Sequence, residues 1–271
     1  MLLKVVLLFT FSLLLFACGS DSTSTQSSSS GASVTVQSNI TSRTEPPYTG
    51  TVFLNPNIIT SQDPTIFQSI MSIGQGNRQM FDRRTNSFND VQNVYLFQAF
   101  YDGGYVVEVQ VNPEFGSEVE AKQQAQFYAE SIGRIPSELF KNLETVWIHA
   151  GDELFGGGNN NILIHTEQGA RYVANGYLEE VLVHEGTHTS LDADHASSSG
   201  WLNAQVADNN FISTYARDNP TREDVAETFL VFLAVERLGD RLTSEQKKII
   251  EDTVPNRLEY FRSLELDLFP Y

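Results

Sequence analysis

An α+β fold is expected on three grounds. Residues 34 to about 115 carry short alternating or apolar runs bounded by glycine, proline and asparagine, as strands and turns do. From Glu118 onward, long stretches place apolar residues at helical spacing. Between these patterns, Thr145–His149 and Asn161–Thr166 read as short buried strands. The expectation is a β-containing N-terminal part, a small mixed sheet bearing an active-site helix, and a helical C-terminal half.

The 271 residues, 41% of them hydrophobic, are enough for one large domain with a substantial core. A net charge of -17 and a pI near 4.6 argue against nucleic acid and anionic lipid as partners, because such a surface repels both. The N-terminus indicates export. Lys4 precedes the apolar run Val5 to Phe16, which is too short for a convincing membrane-spanning helix. The run ends in Leu15-Phe16-Ala17-Cys18-Gly19-Ser20, which resembles a bacterial lipoprotein signal. The resemblance implies a signal peptide over residues 1–18 ending at a lipidated Cys18, and a protein of the bacterial cell envelope held to a membrane by its lipid. Cys18 is the only cysteine, so lipidation leaves none for a disulfide, a nucleophile or a zinc ligand. Residues 19–33, rich in Ser and Thr, read as a disordered tether.

In order, Val34–Val36 alternates briefly, and Gly50–Leu54 is a strand candidate between Pro46-Pro47 and Asn55-Pro56. Gly74 to Arg84 is unusually basic. Arg78, Arg83 or Arg84 are candidates for gripping a substrate carboxylate, or else they pair with the abundant acids. Val91–Tyr101 and Tyr105–Val111 flank Asp102-Gly103-Gly104 and read as a hairpin. Glu118–Ile132 reads as a helix stopped by Gly133 to Pro136, followed by a short helix capped by Ser137. Gly151 to Asn161 reads as a mobile rim. The strand after it, by analogy with zinc proteases, is expected to offer a free edge to substrate backbone. In these strands His149 reads as a core histidine, while His165 stays open. The division expected is 34–115, β-rich, packed on a catalytic domain over 116–271.

The chemistry centres on Tyr177 to His188, which contains His184-Glu185-Gly186-Thr187-His188. On a helix His184 and His188 lie one turn apart on one face and can grip one Zn2+. Glu185 can reach a metal-bound water without binding the metal, as a general base should. Asn175 is the expected N-cap, and the helix is expected to end near Leu191. A catalytic zinc needs a third protein ligand. Asp194 stands where the extended metzincin motif puts one, but Leu191 occupies that motif's glycine position. His195 is one residue out of register. Glu223 lies on a later helix, expected to start at Asn219-Pro220, with Glu227 one turn on. Two carboxylates on a buried stripe need partners. Glu223 would bind zinc, and Glu227 would accept the free N–H of His184. Asp192, Asp194 and His195 read as part of the turn after the helix, with Asp192 also in reach of His188. Thr243 to Leu268 reads as helices broken near Pro255 and capped by Ser244.

The His184–His188 motif, followed by Ile212 to Asn219 and by Glu223-Asp224-Val225-Ala226-Glu227-Thr228-Phe229, resembles the anthrax lethal factor type of zinc metallopeptidase. The likeness covers about residues 177–235. It implies a zincin-like, gluzincin-type site with Zn2+ as cofactor, held by His184, His188 and Glu223, with Glu185 as base and Tyr215 assisting catalysis. A phenol near the metal can also donate to an oxyanion, although a lone tyrosine is otherwise often core. The function expected is a membrane-anchored metallopeptidase acting on a peptide or protein, with Glu185 activating a zinc-bound water. The alternative is a non-catalytic zinc-containing surface lipoprotein that acts as a binding module. Against that alternative, a structural zinc would fill its fourth position with Cys or His.

Overall fold

In the computed structural model, which describes residues 45–208 and 210–271, strands β1 (Phe67–Asp82), β2 (Ser87–Tyr101), β3 (Val106–Val111), β4 (Thr145–His149), β5 (Gly156–Gly158) and β6 (Asn161–His165) form one mixed sheet. Their order is β1-β2-β3-β4-β6-β5. The expectations attached to Cys18, the tether and Val34–Val36 fall outside the described residues. The first three strands are antiparallel, β3, β4 and β6 run parallel, and β5 returns antiparallel. The fold is α+β. Residues 67–111 and 145–165 share a sheet because β3 pairs directly with β4.

The β2–β3 hairpin turns through Asp102–Gly104, as its glycines foretold. Its partner β1 carries no sequence signal. Met80 and Asp82 are its only buried residues, so it lacks the apolar alternation of a half-buried strand. Helix α1 (Glu118–Ile132) is capped by Ser117, whose Oγ accepts the Glu120 N–H at 3.2 Å, and it ends at Gly133. Ser137 is not a cap. It opens a 3-10 turn, Ser137–Phe140, with no side-chain capping bond.

Four further expectations need correction. Gly50–Leu54 is not a strand of the sheet. The N–H groups of Val52 and Leu54 go instead to the carboxylates of Glu227 and Glu180, both at 2.8 Å. The glycine loop is no mobile rim, because Gly156–Gly158 pairs with β6 around Asn159-Asn160. Those two asparagines have φ of 50° and 60°, as a tight two-residue hairpin requires. As a result β6 is paired on both sides and has no free edge; the outer strand is β5. Asn175 does not begin the motif helix. It ends a separate helix, α2 (Thr166–Asn175), and Gly176 stops that helix at φ 75°.

The C-terminal half contains α3 (Leu178–Ser190), α4 (Asp192–His195), α5 (Ser199–Ala207), α6 (Thr214–Asp218), α7 (Asp224–Arg237), α8 (Ser244–Thr253) and α9 (Pro255–Arg262). The cap of α8 is Thr243, not Ser244, and it forms a reciprocal pair with Gln246. Helix α7 starts later than Asn219-Pro220 predicts, since Asn219 closes α6 and Glu223 takes the N-cap position of α7. Arg257, fully buried, pairs with Asp208 and Asp224 and so ties α9 to α5 and α7. The main core lies between the sheet and helices α1 and α3, and it continues between α3 and α7. Within the described residues no helix is long and apolar enough to cross a membrane.

Candidate metal centre

Helix α3 is embedded. Leu178, Val181, Leu182 and Val183 are buried, and so is Gly186. On its other side the chain passes so close that only glycine fits. A Cβ on Gly157 would lie 2.0 Å from the Glu185 carbonyl oxygen. Gly158 adds a hydrogen bond from its N–H to Thr189 Oγ1 at 3.0 Å. These contacts fix the helix against β5 while Glu180, His184 and His188, spaced at i, i+4 and i+8, face a cleft.

Three ligand atoms converge there. His188 Nε2 lies 3.1 Å from His184 Nε2 and 3.1 Å from Glu223 Oε2, and His184 Nε2 lies 3.4 Å from that same oxygen. Three ligands about 2.0–2.1 Å from one tetrahedral centre require separations of this size, and two imidazoles with one carboxylate form a donor set that suits zinc. A carboxylate also stands behind each histidine. His188 Nδ1 is 2.6 Å from Asp192 Oδ2, and His184 Nδ1 is 3.4 Å from Glu227 Oε1. Glu227 is itself pinned, because its Oε2 accepts from Ser213 Oγ at 2.7 Å and from the Val52 N–H at 2.8 Å. Backing of this kind sets the ring orientation and leaves Nε2 for a metal.

The electrostatics agree with the geometry. Burial by itself would raise the Glu223 pKa, but hydrogen bonds from His184 and His188 hold its carboxyl well below the usual range. Burial likewise opposes a charged His188, yet Asp192 and Glu223 outweigh it and raise its pKa to about 10. In the metal-free chain that proton competes with any cation for the site. Glu180, one turn before His184, is pushed up to about 7 by burial, against the Leu54 and Asn55 N–H groups that it accepts.

Glu185 is half-buried and lines the same cleft, with no hydrogen bond or ion pair to its carboxylate among the described residues. Tyr215 stands at the start of α6 and lines the cleft together with Glu223. Burial, with the Glu223 carboxylate second, pushes its pKa up to about 12, so its hydroxyl keeps the proton. The cleft is about 530 Å³. Its apolar lining comes from Val52, Phe53, Leu154, Phe155 and Val181, and its polar lining includes Arg83, Gln168 and Tyr172.

No family model, curated protein or solved structure matches the chain. Asp194 is exposed and outside the cluster, and His195 Nδ1 is engaged by the Tyr260 hydroxyl at 2.7 Å. Of the three candidates for a third ligand, Glu223 is the one brought to the histidines. Asp192 opens the short helix α4 where a turn was expected, and its carboxylate backs His188, the other role open to it. His149 and His165 are both fully buried and stacked, 5.5 Å between ring centres, away from the cleft. Arg78 pairs with Glu108, and Arg84 with Asp82 and Glu114. Sequence reasoning gave Glu180 and Gly157 no role at the site. Gly157 sits in a run of three glycines, the one signal that another backbone comes close.

Proposed function

We propose that the protein is a zinc-dependent metallopeptidase. One observation carries this reading: two imidazole nitrogens and a carboxylate oxygen converge in an open cleft, with the unpaired carboxylate of Glu185 beside them. His184, His188 and Glu223 would hold the ion. Zinc in such a site supplies Lewis acidity and lowers the pKa of a bound water. Glu185 takes a proton from the attacking water and returns it to the leaving amine. Tyr215, whose pKa is pushed up to about 12, keeps its proton and lines the same cleft, which supports a role as donor to a developing oxyanion. Val52, Phe53 and Phe155 offer an extended peptide an apolar wall. The proposal includes membrane attachment through a lipid on Cys18, which rests on the N-terminal sequence.

The test is metal content together with cleavage of a peptide library by wild type and Glu185→Gln. Both should bind zinc equally, and the variant should lose about 10²- to 10⁴-fold in rate. Equal zinc binding with no cleavage by either protein would leave a zinc-containing binding module instead.

A further inference from the structure

Arg83 stands apart from its neighbours. It occupies the tip of the β1–β2 hairpin and reaches the cleft that holds the histidines. Asp82 and Arg84 on either side are tied down. Arg84 bridges Asp82 and Glu114, and Asp82 Oδ1 lies 3.4 Å from His165 Nε2. Arg83 has no carboxylate in ion-pair range among the described residues, in a chain of net charge -17. Among the described residues its side chain makes one hydrogen bond, from Nη2 to the Phe155 carbonyl at 2.8 Å, and its Nε is buried without an acceptor. A partly desolvated cation with spare donors is costly unless an anion completes it.

The surroundings favour an anion as well. Tyr172 stacks edge-on against Phe155 at 5.2 Å, which puts it next to the arginine's anchor. Arg83, Tyr172 and Glu185 all line this one cleft, so the arginine and the base belong to one chamber. Gln168 has its carbonyl oxygen engaged by Arg171 at 3.0 Å, which leaves its amide N–H groups to donate elsewhere. This wall of the cleft thus presents a guanidinium, a phenol and an amide, all able to donate. Arg222, the other arginine on the cleft, is 78% exposed and lies 3.4 Å from Glu223.

We propose that Arg83, with Tyr172 and Gln168, is a specificity subsite for a carboxylate of the substrate, either an acidic side chain near the cut or a free C-terminus. The inference rests on the peptidase reading and adds the substrate class to it. An incoming carboxylate takes the remaining guanidinium donors, and the locked hairpin tip sets its distance from Glu185. Substrates lacking the carboxylate leave the cation unpaired in the cleft.

The test has two arms on the full chain. In the first, zinc-loaded protein is offered peptides in pairs differing only as Glu against Gln, each with a free and an amidated C-terminus. The Glu/Gln ratio of kcat/KM, or the free/amidated ratio, should be about tenfold to a hundredfold, and Arg83→Gln should collapse it. Arg83→Lys, which keeps charge but loses the planar fork, should give an intermediate ratio. The second arm needs no turnover: fluorescence anisotropy of the same labelled peptides on Glu185→Gln and on Glu185→Gln/Arg83→Gln. Cleavage without either preference, or a preference that survives Arg83→Gln, overturns the subsite and leaves the peptidase reading standing. If nothing is cleaved, the peptidase reading fails and the binding arm decides. Tighter binding of one carboxylate form, lost with Arg83, upholds the subsite, and equal binding sinks it.

Discussion

The protein holds two pairs of histidines, each beside carboxylates, and they are built for different ends. His184 and His188 sit on one helix, turn their Nε2 atoms toward each other at 3.1 Å, and share Glu223. Carboxylates stand behind both rings, and the open side is a cleft. His149 and His165 end the neighbouring strands β4 and β6, so their rings stack side by side, 23° from parallel. Their carboxylate Asp82 is already claimed by Arg84. His149 Nε2 and His165 Nδ1 are buried with no hydrogen-bond partner. Composition is nearly the same in the two places. What separates a candidate metal centre from a core cluster is whether lone pairs meet at one point that a ligand can reach.

The largest expected effect is at the shared carboxylate. Glu223→Gln should abolish stoichiometric zinc binding, read by metal analysis after dialysis, whereas Asp194→Asn should leave it intact. Retained zinc in the first variant would mean that the convergence seen at Glu223 is not what holds the ion. A smaller loss is expected behind the ligands. Glu227→Gln and Asp192→Asn should each weaken zinc by about tenfold to a hundredfold in a chelator competition. His165→Asn should leave zinc affinity unchanged, and a loss there would erase the distinction between the pairs.

The contrast also predicts a difference in sign, seen in urea titrations of the metal-free chain. Burial lowers the His149 pKa from 6.5 to about 4. Below pH 6.5 the unfolded chain therefore takes up a proton that the folded chain refuses, and roughly 3 kcal/mol of stability should be lost as the pH falls to about 4. His188 is raised to about 10, so its contribution is fully present below pH 6.5 and fades as the pH climbs through 10. His149→Gln should flatten the acid slope and His188→Gln the alkaline one. Slopes of the same sign for both pairs would contradict the contrast.

How much of this was legible in the sequence depended on how local the signal was. Helix α1 and strand β4 appear at their expected bounds, because each has its own cap or apolar run. The spacings His184/His188 and Glu223/Glu227 were legible because helical periodicity alone puts each pair on one face. Strand β1 was not, since its polar and glycine-bearing sequence owes its pairing to β2. Gly50–Leu54 looked like a strand because nothing nearby in sequence shows that Glu180 and Glu227, more than a hundred residues away, accept its N–H groups. Helix α2 was hidden by a similar ambiguity, with Asn175-Gly176 serving as a stop where a start was expected. Arg83 was one of three basic candidates, and only the fold separates it from Arg78 and Arg84 by giving those two their partners.

The most direct measurement is a crystal structure of the zinc-loaded chain with anomalous data collected at the zinc edge. A single strong peak about 2.0–2.2 Å from His184 Nε2, His188 Nε2 and a Glu223 oxygen, with none at His149 and His165, is the expected result. A peak coordinated by Asp194, or one between the stacked histidines, would contradict it.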